Sequence, residues 1–157
     1  MVKILLLLLL VASDLMAQDR KIDPTWLHRY VPRLSEHVAA PESRSCRYKP
    51  IFGEGDAENR ILRSVTRFGE VTVDARGSCQ GALYDREEEI YLVLEGQGEM
   101  VAGSGVDGVE GRYPAKAGDA YYFRPNCTVG FYNQNKPGAK AYILAVRSRI
   151  PPPEDAD

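Results

Sequence analysis

Histidine is almost absent from this chain: 157 residues hold two, His28 and His37, both near the N-terminus. Everything after them lacks imidazole, the commonest supplier of nitrogen to iron, manganese, nickel or zinc. An excess of one charge is missing too, with 20 basic residues against 22 acidic, so the sequence offers no basic stripe of the kind that nucleic-acid binding needs. Long apolar runs are confined to Ile4–Ala12, too short for the roughly 20 residues of a bilayer span. Lys3 before that run and the small residue Ala17 after it match a secretory signal peptide cleaved near Ala17. Asp14 is unusual so close to the apolar core, and it keeps an uncleaved anchor open as the alternative. No cysteine follows the cleavage region, so nothing suggests a lipid anchor, and no membrane attachment is expected once the signal is removed.

What remains is ordinary globular material, 44% hydrophobic and 27% charged, enough for one domain with one core. Residues 18–59 read as a short helical or irregular arm. Asp23-Pro24 fits an N-cap and first helical residue, Trp26, Leu27, Tyr30 and Val31 recur at helical spacing, and Pro32 ends the helix. A second helical turn is expected near Ser35, and Pro41, Pro50 and the Gly53–Asp56 cluster read as loops. The arm is expected to lay Trp26, Leu27 and Tyr30 on the outside of the domain or on a second subunit. His28 and His37 are given surface or packing roles.

From residue 60 to 149 the pattern is all-β. Ile61–Thr66 and Glu70–Val73 read as two strands parted by Phe68-Gly69, with Arg60, Arg63 and Arg67 as solvated edge positions. Ile90–Leu94 is an unbroken run of β-branched, aromatic and aliphatic side chains, expected to be buried on much of both faces. The glycines of Glu95-Gly96-Gln97-Gly98 then suggest a hairpin returning through Glu99–Val101. Ala120–Phe123, Thr128–Tyr132 and Ala139–Val146 follow as strands. Residues 150–157, PPPEDAD after Ile150, cannot pack a core and read as a disordered tail.

Glu89 and Gly96, seven residues apart, followed downstream by Gly118, Asp119 and Pro125, resemble the two motifs of the cupin superfamily. The resemblance covers roughly residues 60–147 and implies a jelly-roll β-barrel. In that family the first motif places two histidines and a glutamate on a metal, and the second adds a third histidine. Here the histidine positions hold Ala82, Tyr84 and Gly130, and only Glu89 survives. No metal and no other cofactor is therefore expected. An all-oxygen set from Glu89, Glu88, Asp85 and Tyr84 would crowd one turn instead of surrounding a cation.

The resemblance also implies that Glu89 points into the barrel, where an ionised carboxylate needs a partner. Tyr84, Gln80 and Arg124 are the candidates, and a register slip by one would put Glu88 inside instead. Strand alternation would bring Tyr91 to the same face, and with Tyr132 these residues suggest an aromatic-lined pocket for a flat or sugar-like ligand. The family's geometry further implies that Cys79 and Cys127 converge. They are the pair to test first, Cys46 being left over, and unpaired thiols are the alternative. The leading expectation is an exported, metal-free small-molecule-binding or assembly module, paired as a homodimer. A metal-independent isomerase or lyase using Glu89 and Tyr84 is the alternative, and a dioxygenase-type metalloenzyme with atypical ligands comes third.

Overall fold

The computed structural model describes residues 27–39, 44–56, 62–103 and 110–151; the signal-peptide region and the tail after Pro151 lie outside them. Among the described residues, ten antiparallel strands form two sheets. The first sheet takes β1 (His37–Val38), β2 (Cys46–Gly53), β3 (Val65–Val73), β10 (Ala141–Arg149), β5 (Glu87–Glu95) and β8 (Ala120–Phe123), in that spatial order. The second takes β4 (Ser78–Ala82), β9 (Thr128–Asn133), β6 (Gln97–Gly103) and β7 (Gly111–Lys116). Phe131 and Met100 of the second sheet pack with Ile143, Val73 and Val93 of the first, all fully buried in one core. The fold is a jelly roll whose barrel stays open, because among the described residues no strand is hydrogen-bonded into both sheets.

Strand alternation sorts the inner face of the six-stranded sheet into cross-strand rows. Cys46, Val73 and Ala141 form the first row, and Tyr48, Val71, Ile143 and Val93 the next. Gly69, Ala145, Tyr91 and Tyr121 follow, and the last row is Gly53, Arg67, Arg147, Glu89 and Phe123. The interior is thus apolar at one end and charged at the other.

The apolar end is fastened across the gap between the sheets. Cys46 of β2 and Cys79 of β4 form a disulfide, with Cα atoms 5.1 Å apart. Beside it the Ser45 hydroxyl accepts from the Ser78 amide at 3.0 Å and donates to the Ser78 carbonyl at 3.1 Å. The buried Asn133 amide of β9 donates to the Val73 carbonyl of β3 at 2.9 Å. The expected Cys79–Cys127 pair is therefore wrong. Cys79 lies opposite Phe131 on β9, whereas Cys127 precedes that strand and remains a free thiol. Cys46, expected to be the unpaired thiol, is the true partner because β2 is a strand of the barrel.

Other expectations change for local reasons. Residues 37–38 and 46–53, read as helix and loop, supply β1 and β2; Pro50 is tolerated where the β2 register shifts against β3. No helix covers residues 27–30, and Pro32 opens a single 3-10 turn at Val31–Arg33 instead of closing a helix. Tyr30 is exposed under the Arg33 guanidinium and does not pack on the barrel. His28 is exposed, and His37 meets the buried Tyr48 edge-on at 5.6 Å. Trp26 lies outside the described residues.

The β3 strand runs unbroken through Phe68-Gly69, since Tyr48 packs over the bare Gly69 backbone: a Cβ there would meet a Tyr48 ring carbon at 2.5 Å. The expected hairpin at Gly96 is absent. Gly96, at φ 90°, turns the chain out of the first sheet into the second, where β6 pairs with β7 and β9. Ile90–Leu94 alternates instead of burying both faces, with Val93 inside and Ile90 and Leu94 outside.

Residues 34–39 are held to the outer face by charge. Arg47 donates twice to Asp74 at 2.8 Å and once to Glu36 at 3.1 Å, while Thr72 donates to Glu36 at 3.1 Å. The Arg47 guanidinium holds the Asp74 carboxyl below its ordinary range. Burial would raise Glu36, but its bonds from Arg47 and Thr72 outweigh that and bring it down as well. A carboxylate depressed in the folded state contributes stability above its unfolded value, and that stability is lost as pH falls through the folded one. Wild-type protein should therefore lose stability below about pH 4 more steeply than Arg47→Met does. Acid titrations followed by circular dichroism would show this, and parallel acid limbs would refute it.

Candidate functional site

The charged row at the open end is built on β3, β10 and β5. On β10, Ala141, Ile143 and Ala145 face the core at alternate positions, and Arg147 is the next inward residue, only 5% exposed. Glu89 lies directly opposite on β5, 3% exposed, and its Oε1 accepts from Arg147 Nε at 2.8 Å. Burying a lone carboxylate would cost several kcal/mol; the guanidinium supplies the missing charge. Burial on its own would lower the Arg147 pKa, but the Glu89 carboxylate and its other neighbours outweigh this and raise it. Glu87 and Glu54 approach the same guanidinium at 3.6 Å.

Aromatic rings flank these charges. The Arg147 guanidinium lies 3.5 Å from the centre of the Tyr84 ring, and the Arg67 guanidinium 3.8 Å from that of Tyr48. Such stacks contribute about 0.5–2 kcal/mol each. Tyr91 packs edge-on to Phe123 at 5.6 Å. Burial, with the Glu89 carboxylate adding to it, pushes the Tyr91 phenol well above its usual range, and burial likewise raises Tyr48. Glu89 Oε2, the Tyr48 hydroxyl and Arg67 Nε are buried without a hydrogen-bond partner. The row opens on a cleft of about 580 Å³, walled by Gly53, Glu54, Arg63, Glu87, Arg147 and Arg149. A second cleft, of about 650 Å³, adjoins it through Glu87 and Arg149 and reaches Tyr84.

Of the residues expected at the site, Glu89, Tyr84 and Tyr91 lie in or against this cluster. The register question resolves to Glu89, since Glu88 sits on the outer face and accepts from the Tyr122 hydroxyl at 2.8 Å. Arg124 is exposed next to the inward Phe123 and is not the partner of Glu89. Tyr132 alternates outward from Phe131 and stacks with Arg112, so it does not line the interior. Tyr84 presents its ring to Arg147 and makes no hydrogen bond to Glu89. Arg147 went unread because the expected strand stopped at Val146; one more residue of alternation finds it. Arg67, read as a solvated edge position, lies on the inner face between Gly53 and Arg147.

A cupin metal does not fit this donor set. The two first-motif histidine positions carry Ala82, which has no donor, and Tyr84, whose ring is covered by a guanidinium. On β9, Gly130 offers no side chain, and its neighbours Val129 and Phe131 belong to the apolar core. The surviving carboxylate is already paired, and among the described residues no three His, Cys, Asp or Glu side chains converge.

No family model matches the sequence, and no curated protein is significantly similar to it. Solved structures are similar in shape. A predicted oxalate decarboxylase from Thermotoga maritima superposes with a TM-score of 0.63 at 15% identity, covering 79% of this chain and all of that one. A cupin sugar phosphate isomerase from Silicibacter pomeroyi gives 0.60 at 16%, covering 80% of this chain and 77% of its own. The polyketide cyclase RemF from Streptomyces resistomycificus gives 0.58 at 20%, covering 80% and 82%. At such identities the likeness concerns architecture alone, and with the two-sheet topology and the glycine turns it has one meaning: the chain has the cupin fold.

Proposed function

We propose that this protein binds a small polar molecule at the charged end of its barrel without a transition metal. The observation that carries the reading is the buried Arg147–Glu89 pair at 2.8 Å, a guanidinium supplying the positive charge that a metal supplies in the metal-binding members of the fold. Tyr84 and Tyr91 would give the ligand aromatic walls, and the cleft beside Arg147 would give it a way in. Protein purified without chelators should contain no stoichiometric iron, manganese or zinc by elemental analysis, and native mass spectrometry should find a small molecule that leaves on denaturation. One transition-metal ion per chain would overturn the reading.

A second reading is favoured by one atom. Glu89 Oε2 is a buried acceptor with no bond of its own, which suits a base taking a proton from an enolisable or sugar-like substrate. Tyr84 would then orient Arg147 instead of sharing the proton. Export is also part of the proposal. It is supported by the N-terminal apolar run and by a disulfide, which persists in an oxidising compartment. Homodimer formation is supported by apolar exposure on the outer face of the six-stranded sheet, where Ile90 is 47% and Tyr122 58% exposed side by side. Light scattering on the same preparation would detect a monomer if that pairing is absent.

A further inference from the structure

Arg67 and Arg147 are directly opposite each other on neighbouring strands, both facing inward. Like charges in that relation repel, and the carboxylates nearby do not share themselves out. Glu89, Glu87 and Glu54 all gather on Arg147. Arg67 has no carboxylate within salt-bridge distance among the described residues, and its Nε is buried without a hydrogen bond. It stacks on the Tyr48 ring, whose hydroxyl, on a side chain 2% exposed, makes no hydrogen bond. This end of the interior therefore holds a cation with no carboxylate partner among the described residues, the unbonded Tyr48 hydroxyl and the unbonded Oε2 of Glu89. Gly53 and Arg147, which flank Arg67, both line the cleft, as do Arg63 and Arg149, and neither of these two pairs with a described carboxylate. A half-buried guanidinium opposite a like charge, with its buried Nε unbonded, lacks an acceptor on that side. It marks where an anion belongs.

We infer that the ligand is a hydroxylated small anion: a carboxylate or phosphate group accepts from Arg67 and the Tyr48 hydroxyl, while a hydroxyl donates to Glu89 Oε2. This rests on the small-molecule reading above and names its chemical class. The two Arg–Tyr stacks at this end of the interior suit this role, since each ring fixes a guanidinium plane and leaves its N–H edge free to donate.

The test is calorimetric titration of the purified protein with gluconate, a hydroxyl-rich carboxylate, and with glucose, its uncharged counterpart. Gluconate should bind at least about ten-fold more tightly, and the preference should shrink with added salt. Arg67→Met should abolish it. Arg67→Lys, which keeps the charge but loses the planar fork, should keep part of it and serves as the control should the methionine variant misfold. Equal affinities for the two compounds, or a gluconate affinity unchanged in Arg67→Met, would assign a neutral ligand and end the inference while leaving the small-molecule reading intact. If neither compound binds, the inference also fails, and the co-purified molecule sought by native mass spectrometry then decides the broader reading separately.

Discussion

Arg147→Met is expected to destabilise the protein by about 3–5 kcal/mol, the cost of removing one partner from a buried ion pair and stranding the other. Glu89 would be left 3% exposed among Phe123, Tyr91 and the remaining core, with Glu87 at its edge adding repulsion. Restoring a match should restore the fold. The double variant Arg147→Met/Glu89→Leu exchanges the pair for apolar side chains of similar size and should recover most of the loss. Urea unfolding of wild type, both single variants and the double completes the cycle. A coupling energy near zero would mean that the two residues do not depend on one another. The outcome bears on function as well as stability: a double variant that folds normally yet binds nothing would assign the pair to recognition.

Breaking the Cys46–Cys79 link should cost about 3–4 kcal/mol, as expected for a crosslink spanning 33 residues of sequence. Cys46→Ala/Cys79→Ala, compared with the oxidised wild type by chemical denaturation, reads this directly, and Cys127→Ala should leave stability nearly unchanged by comparison. If the double alanine variant unfolds at the wild-type midpoint, the bond is not a structural crosslink. If wild type under reducing conditions matches the double variant, the loss belongs to the bond itself and not to the packing of two sulfur atoms.

How much of this was legible beforehand depended on where the information lies. Gly96 and Gly118 could be read because their backbone angles, φ 90° and 94°, leave glycine in the sequence. Glu89 could be found only through the resemblance, as the glutamate of the first cupin motif seven residues before Gly96. The β2 strand was hidden because Pro50 and the alternating Arg47 and Lys49 look like loop, and only the pairing with β3 makes it a strand. The disulfide was lost with it, since sequence spacing says nothing about which strands of two facing sheets end up adjacent. Arg147 and Arg67 needed strand ends and register, the least legible properties of a β-protein: a charged residue looks the same in sequence whether it faces in or out, and one residue decides which.

The arrangement of the seam between the sheets has a mechanical consequence. Cys46–Cys79, the Ser45–Ser78 bonds and Asn133 all act at one end of the molecule, so the covalent crosslink and its flanking bonds pin the two sheets there. The opposite end, where Arg67, Arg147 and Glu89 stand, is crossed by residues 83–86 and 124–127, tied where the Asn126 amide donates to the Tyr84 carbonyl at 2.8 Å, so a guest entering there has two loops to displace and no crosslink. Rigidity and access are thereby assigned to opposite poles of one small protein.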